Sequence, residues 1–294
     1  MNIRKGILFV LISTLMFGSY GVWSKLIGDS FGIFYQSWSR ALIIALLLFP
    51  FLLWKKLIVP ISKKDLTWFI VFLFFTSLTQ APIFYAFNHM DIGSATLLFF
   101  VSMLLTMYIV GILFLEEKLT KIKILCFVLA GIGLYIIFSF SLVLFSLLAA
   151  GLAIINGVAS GGEVSSSKRL SRHYSTLYLS WWSWVIIILT NAPLSFFLGE
   201  VQHLPSFDIV WLYQWGYVFV SIFGFWLILE GVKYLEASIA GLLGLLEVVF
   251  SITLGILLFN EELTVKIIIG ASFIICAAAL PHIIDLWSTY KHSS

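Results

Sequence analysis

Apolar runs of about 20 residues follow one another along this chain with only short polar gaps, and each is long enough to cross a hydrocarbon core about 30 Å thick as a helix. The expected spans are 6–27, 33–55, 66–87, 92–115, 119–138, 142–166, 176–199, 207–231, 236–259 and 263–286. Most are closed by clusters of Gly, Pro, Asn, Asp or Lys, which punctuate helices. The runs mix Leu, β-branched and aromatic residues without the alternation of a β-barrel. Over such lengths in lipid only helices satisfy the backbone. The pattern predicts an all-α membrane protein of ten transmembrane helices.

The polar gaps alternate in Lys and Arg. One side holds Arg4, Lys5, Lys55, Lys56, Lys63, Lys64, Lys118, Lys121, Lys123, Lys168, Arg169, Arg172, Lys233 and Lys291. The other holds Lys25 and Lys266, and Arg40 is left inside span two. The positive-inside rule then puts both termini in the cytoplasm.

The chain also repeats itself. Shifted by 144 residues, Ser94 falls on Ser238, Gly111-Ile112-Leu113 on Gly255-Ile256-Leu257, Glu117 on Glu261 and Leu119-Thr120 on Leu263-Thr264. Shifted by 143, Lys25 meets Lys168, Tyr35 meets Tyr178, Ser37-Trp38 meets Ser180-Trp181 and Pro50 meets Pro193. The halves divide at 140/141, as 1–140 and 141–294. Five spans per half is an odd number, so the second half enters the membrane upside down. The expected fold is two inverted five-helix repeats.

Composition agrees. The 294 residues are 61% hydrophobic and 11% charged, with mean hydropathy +1.09. A soluble domain carries about a quarter charged residues. The net charge of +3 is not gathered on a basic face with interleaved aromatics, so no nucleic-acid partner is expected. Cys126 and Cys276 fall inside spans and read as packing residues. The first span is long for a signal-peptide core and reads as a retained helix. No phosphate-loop, dinucleotide, metalloprotease or nucleophile-elbow motif appears. Ser165-x-x-Lys168 lacks the partners of a serine-lysine acylase. No cofactor, metal or enzymatic activity is expected. The acidic turns Glu116-Glu117 and Glu261-Glu262 read as caps for the spans that follow them.

Two turns carry a family resemblance: Leu115-Glu116-Glu117-Lys118-Leu119-Thr120 and Phe259-Asn260-Glu261-Glu262-Leu263-Thr264. With Ala237-Ser238-Ile239-Ala240, Leu246-Glu247-Val248-Val249-Phe250 and Trp23-Ser24-Lys25, the chain resembles EamA-type members of the drug/metabolite transporter superfamily. The resemblance covers essentially the whole chain. It departs at the Gly of the turn, here Glu116 or Asn260, and at the Pro after the ninth-helix Glu, here Val248. It implies secondary active transport of a small metabolite or amino acid, often efflux, and fixes no substrate.

An ionisable residue inside a membrane is expensive, so each one is a candidate site. Glu247, near the middle of span nine, either carries a coupling proton or pairs with a cationic substrate group, or it only packs the bundle. The resemblance points to the same residue. Arg40 either holds an anionic substrate group bidentately, pairs with Glu247 or Glu163, or snorkels. Glu163, after Gly157-x-x-x-Gly161 and Gly162, is a cavity residue or an end residue near Lys168. Lys25 and Lys168 are interface anchors or mirrored ends of two gates. Trp38, Gln80, Asn156, Trp181, Gln214, Gln36 and Trp215 either line a central cavity or serve as interfacial Trp and interhelical amides. Glu230 and Glu236 are expected to pair near Lys233, and His89 and Asp91 to sit in an outer loop.

The expected protein is an integral cell-membrane transporter with a cavity between spans one to four and six to nine, and spans five and ten at the periphery. Its partners would be a small-molecule substrate, coupled protons and the bilayer. The rival expectations are a non-transporting scaffold or assembly subunit and a flippase for a lipid-linked substrate.

Overall fold

The computed structural model describes residues 3–90, 92–138 and 146–291. The boundary at 140/141, the start of span six at 142 and Asp91 lie outside the described residues.

Span one is α1 (Ile3–Gly18) and α2 (Tyr20–Ile27), and span two is α3 (Ile33–Trp54). Span three is α4 (Leu66–Ser77) and α5 (Ala81–His89). Spans four to eight are α6 (Ile92–Phe114), α7 (Lys121–Phe138), α8 (Leu147–Leu170), α9 (Thr176–Phe197) and α10 (Ile209–Gly231). Span nine is α11 (Ala237–Gly244) and α12 (Leu246–Phe259), and span ten is α13 (Val265–Lys291). Among the described residues, nine stretches are long and apolar enough to cross a membrane, and Val265–Pro281 is a shorter apolar stretch of the tenth. The protein is an all-α membrane protein built as two inverted repeats of five spans.

Three spans expected to be continuous are broken. In span one, Ser19 Oγ donates to the Met16 carbonyl at 2.6 Å, diverting an acceptor beside Gly18. In span three, Thr79 Oγ1 takes the Thr76 carbonyl at 2.8 Å, and a Pro in the first turn of α5 offers no N–H back to the break. In span nine, the Leu245 N–H is shared between the carbonyls of Gly241 and Leu242 at 3.2 and 3.3 Å. His89, expected in a loop, closes α5 and stacks on Tyr85 with ring centroids 3.9 Å apart.

The sequence repeat is also a packing repeat. Span one packs on eight and nine; its counterpart, span six, packs on three and four. Spans two and seven pair with each other, as do five and ten. Gly18 and Gly161 are 143 residues apart, and each lets a backbone approach. A Cβ on Gly18 would stand 3.1 Å from the Glu247 carbonyl, and one on Gly161 2.6 Å from that of Met103. Met103 and Glu247 are themselves 144 apart. Left-handed backbone recurs at equivalent turns: Lys56 (φ 52) with Gly199 (φ 71), and Glu116 (φ 60) with Asn260 (φ 51). The last pair occupies the turn position where the resemblance expects Gly, so the conformation persists without it.

Candidate substrate cavity

A cavity of about 550 Å³ lies between the halves, lined by residues of spans one to nine. Among the described residues span ten contributes none, and span five contributes only Phe138. The three broken spans place Tyr20, Gln80 and Glu247 at its wall. Its apolar lining includes Phe17, Phe99, Phe100, Met103, Trp184 and Ile228.

Arg40 is 4% exposed and faces this cavity. Its guanidinium carbon lies 3.9 Å from the centroid of the Tyr217 ring and 5.7 Å from that of Tyr20. Nε has no hydrogen-bond partner. Among the described residues Arg40 enters no salt bridge, so the expected pairings with Glu247 or Glu163 are not formed. A cation over an aromatic face gains about 2 kcal/mol when desolvated. Taking a charge out of water costs several kcal/mol. The rings alone therefore do not balance the burial.

Glu247 lines the same cavity in the first turn of α12 and enters no salt bridge among the described residues. Glu163 is satisfied differently. Thr76 Oγ1 and Ser183 Oγ each donate to its Oε1 at 2.8 Å. Lys168, offered as its neighbour, pairs elsewhere. The repeat relates these groups: Tyr20 to Glu163 and Arg40 to Ser183 by 143, and Met103 to Glu247 by 144. Each pole of the cavity is thus built from equivalent backbone positions carrying different chemistry.

Of the other expected residues, Gln80 and Asn156 reach the cavity. Ser37 Oγ donates to Gln80 Oε1 at 3.3 Å. Asn156 Nδ2 donates to the Leu78 carbonyl at 3.1 Å, satisfying backbone freed by the break in span three. Trp38, Trp181 and Gln214 do not line it. Trp38 packs edge-on against Tyr35 and stacks on Phe196, because its ring points along the span-two/span-seven seam. Trp181 donates to the Ala45 carbonyl at 3.2 Å on that seam and stacks on Phe49. Gln214 Nε2 donates to the Gln36 carbonyl and to Ser39 Oγ, both at 3.0 Å, tying span eight to span two. Gln36 stays outside the cavity lining, and Trp215 is 44% exposed on the outer surface of the bundle. Lys25 lies at a bundle end, 3.1 Å from Glu261 and 4.1 Å from the Phe259 ring centroid.

Sequence reasoning missed Tyr20, Tyr217, Thr76 and Ser183. Tyr20 and Ser183 were within reach of the repeat, which maps them onto Glu163 and Arg40. It also misplaced a cap. Glu117 caps α11 rather than the following α7: it accepts from the Ala237 N–H, from the Ser238 N–H at 3.2 Å and from Ser238 Oγ at 2.8 Å. The two family-like motifs, the acidic turn and Ala-Ser-Ile-Ala, therefore bind each other. Lys168 Nζ joins the same carboxylate at 2.8 Å. Burial works against the charge of Glu117, but Lys168 and these donors outweigh it and hold its carboxyl below the usual range. Glu230 pairs with Lys233 at 2.7 Å as expected, whereas Glu236 pairs with Lys123.

The sequence matches the model of the EamA-like transporter family over residues 4–139 and again over 147–281. The chain belongs to this family. EamA-like proteins are membrane transporters, so the cavity belongs to an integral membrane transporter. No curated protein matches the chain. A solved structure described only as "Crystal structure of protein" aligns with a TM-score of 0.79 over 96% of this chain and 97% of that one. At 15% identity this EamA-like chain shares its fold with that structure.

Proposed function

We propose that the protein is a secondary active transporter of a small zwitterionic metabolite of the amino-acid kind, working by alternating access through the central cavity. The observation that carries this reading is Arg40: a buried cation lining the cavity that enters no salt bridge among the described residues. A substrate carboxylate supplies the missing anion bidentately. Glu247, which lines the same cavity, takes either the substrate ammonium or a coupling proton. A cavity of about 550 Å³ lies within the roughly 300–1,000 Å³ of small-ligand sites.

The end rich in Lys and Arg is assigned to the cytoplasm of the cell membrane, with both termini there, and the direction to efflux. Glu163, Gln80 and Asn156 shape the second pole, and Lys25 sits at the outer end. Trp38, Trp181 and Gln214 act by packing.

The test is a melting-temperature screen of the purified protein against amino acids, organic cations, nucleosides and phosphorylated sugars, with Arg40→Ala and Glu247→Gln alongside. A ligand at a hundred times its Kd adds about 2.7 kcal/mol. A zwitterion that stabilises the wild type and not Arg40→Ala is the expected result. Stabilisation by cations alone, unaffected by Arg40→Ala, would sink the reading. Counterflow in proteoliposomes then separates the roles of Glu247: coupling predicts that Glu247→Gln keeps exchange but loses pH-driven uphill flux.

A further inference from the structure

The two acidic turns are built alike and engaged differently. In each, the Glu backbone N–H returns to a Gly carbonyl near the end of the preceding helix. Glu117 reaches Gly111 at 2.9 Å, and Glu261 reaches Gly255 at 3.4 Å. Each carboxylate folds over that same Gly, so that a Cβ on Gly111 would clash with Glu117 Oε2 and one on Gly255 with Glu261 Oε2. Each Glu also has a Lys from the repeat-equivalent position: Lys168 for Glu117, Lys25 for Glu261.

There the likeness ends. The Glu117–Lys168 side chains are 3% and 16% exposed and locked onto the first N–H groups of α11. The Glu261–Lys25 side chains are 52% and 53% exposed. The residues equivalent to Ala237-Ser238 at that end are Gly93-Ser94, at the start of α6.

We infer that these are the two latches of the transport cycle. Glu117–Lys168 closes the basic end by docking on Ala237-Ser238. Glu261–Lys25 closes the opposite end by docking on Gly93-Ser94. They are engaged in alternation. The inference rests on the alternating-access reading above and adds the residues that hold each state. The logic is the symmetry of the fold: an inverted repeat reaches its second state by exchanging the conformations of its halves. A contact that is buried at one end and exposed at its equivalent is what such an exchange would swap. Among the described residues Glu117 and Glu261 pair with no charged residue of the cavity lining, and they act by setting which end opens.

The test needs no substrate. Ser160, which lines the cavity, is changed to Cys in a Cys126→Ser, Cys276→Ser background. A membrane-impermeant maleimide is then applied from either side of oriented vesicles. Glu117→Gln should raise labelling from the basic side about tenfold, the population change that 1.4 kcal/mol gives. Glu261→Gln and Lys25→Ala, at half-exposed positions that leave the buried contacts intact, should lower it. Opposite signs from the two ends support the latches. The same sign from both ends, or no change in side preference with the fold retained, overturns them. If Glu117→Gln fails to fold, the two far-end variants still decide. Retained ligand stabilisation in all of them keeps the cavity reading separate from the latch.

Discussion

Arg40 and Glu163 are both buried ionisable residues, and their surroundings predict opposite mutational behaviour. Arg40 makes no salt bridge among the described residues and leaves Nε unpaired. A buried charge without a counter-charge carries a desolvation penalty of several kcal/mol, which a well-packed apolar side chain removes. Arg40→Met should therefore hold or raise the melting temperature while abolishing ligand stabilisation and transport. A drop of several degrees would indicate a structural partner for Arg40 instead. Glu163 accepts two hydroxyl donors, so Glu163→Ala strands Ser183 and weakens the hold on Thr76, which keeps the Phe72 carbonyl at 2.9 Å. Leaving buried donors unpaired costs about 1–3 kcal/mol. At the turn, Glu116 holds φ 60 with a side chain exposed to solvent. Left-handed backbone costs a non-Gly residue about 1–2 kcal/mol. Glu116→Gly should raise thermal stability by about 1 kcal/mol less the entropy Gly adds to the unfolded chain, read as a higher melting temperature.

At the level of the helices, the glycines divide into those that permit a crossing and those that mark a break. Gly161 holds α8 against the Met103 carbonyl, with 2.6 Å for any added Cβ, while Gly244 has open space around it. Gly161→Val should disrupt the span-four/span-six contact, with lost expression or a stability loss well over the ~1–3 kcal/mol of ordinary overpacking, read as a lower melting temperature. Gly244→Ala should fold normally, since Ala favours helix by about 1 kcal/mol over Gly. Gly244 lines the cavity, so a fall in turnover is read as flexing of the span-nine break only if ligand stabilisation is retained; unchanged turnover would make the break a static feature. The same contrast explains what the sequence disclosed. Span ends were legible because polar clusters mark where lipid stops. The breaks at Ser19, Leu78-Thr79-Gln80 and Leu245 were not, because a hydroxyl or a shared N–H diverts a backbone bond without altering the apolar run. Arg40, Glu163 and Glu247 stood out as charges in apolar helices. Trp38, Trp181 and Gln214 could not be sorted from Gln80 and Asn156 by type, since lipid-facing and protein-facing sides are equally apolar here.

For the molecule as a whole, the basic end is tied together by carboxylates, and that has a pH consequence. Glu117 joins α6, α8 and α11, and its carboxyl is held below the ordinary value of 4.5 by Lys168 and the Ala237 and Ser238 donors, against the opposing effect of burial. Asp65 is held low as well, first by Ser62 and also by Tyr174 and His173, across the 55–65 turn. A carboxyl whose folded pKa is depressed binds fewer protons folded than unfolded. Its contribution is complete above the unfolded value and is lost as pH falls from there through the folded value. The Glu117 contribution to the melting temperature should thus be constant near neutrality and be withdrawn as pH falls below about 4.5. In Glu117→Gln the neutral-pH melting temperature should be lower and the acid fall shallower, with Asp65 and Asp208, both held low by hydrogen bonds, contributing to what remains. The difference between the two curves isolates Glu117, and a constant gap down to pH 3 would show that its charge contributes nothing to the fold. Because Lys168 sits on span six, packed on spans three and four, and Ala237 on span nine, packed on span one, the same acid range should also loosen the basic end before the bundle melts. That ordering is visible as earlier hydrogen exchange at Ala237 and Ser238 than at the glycine-packed crossing of α8 with α6.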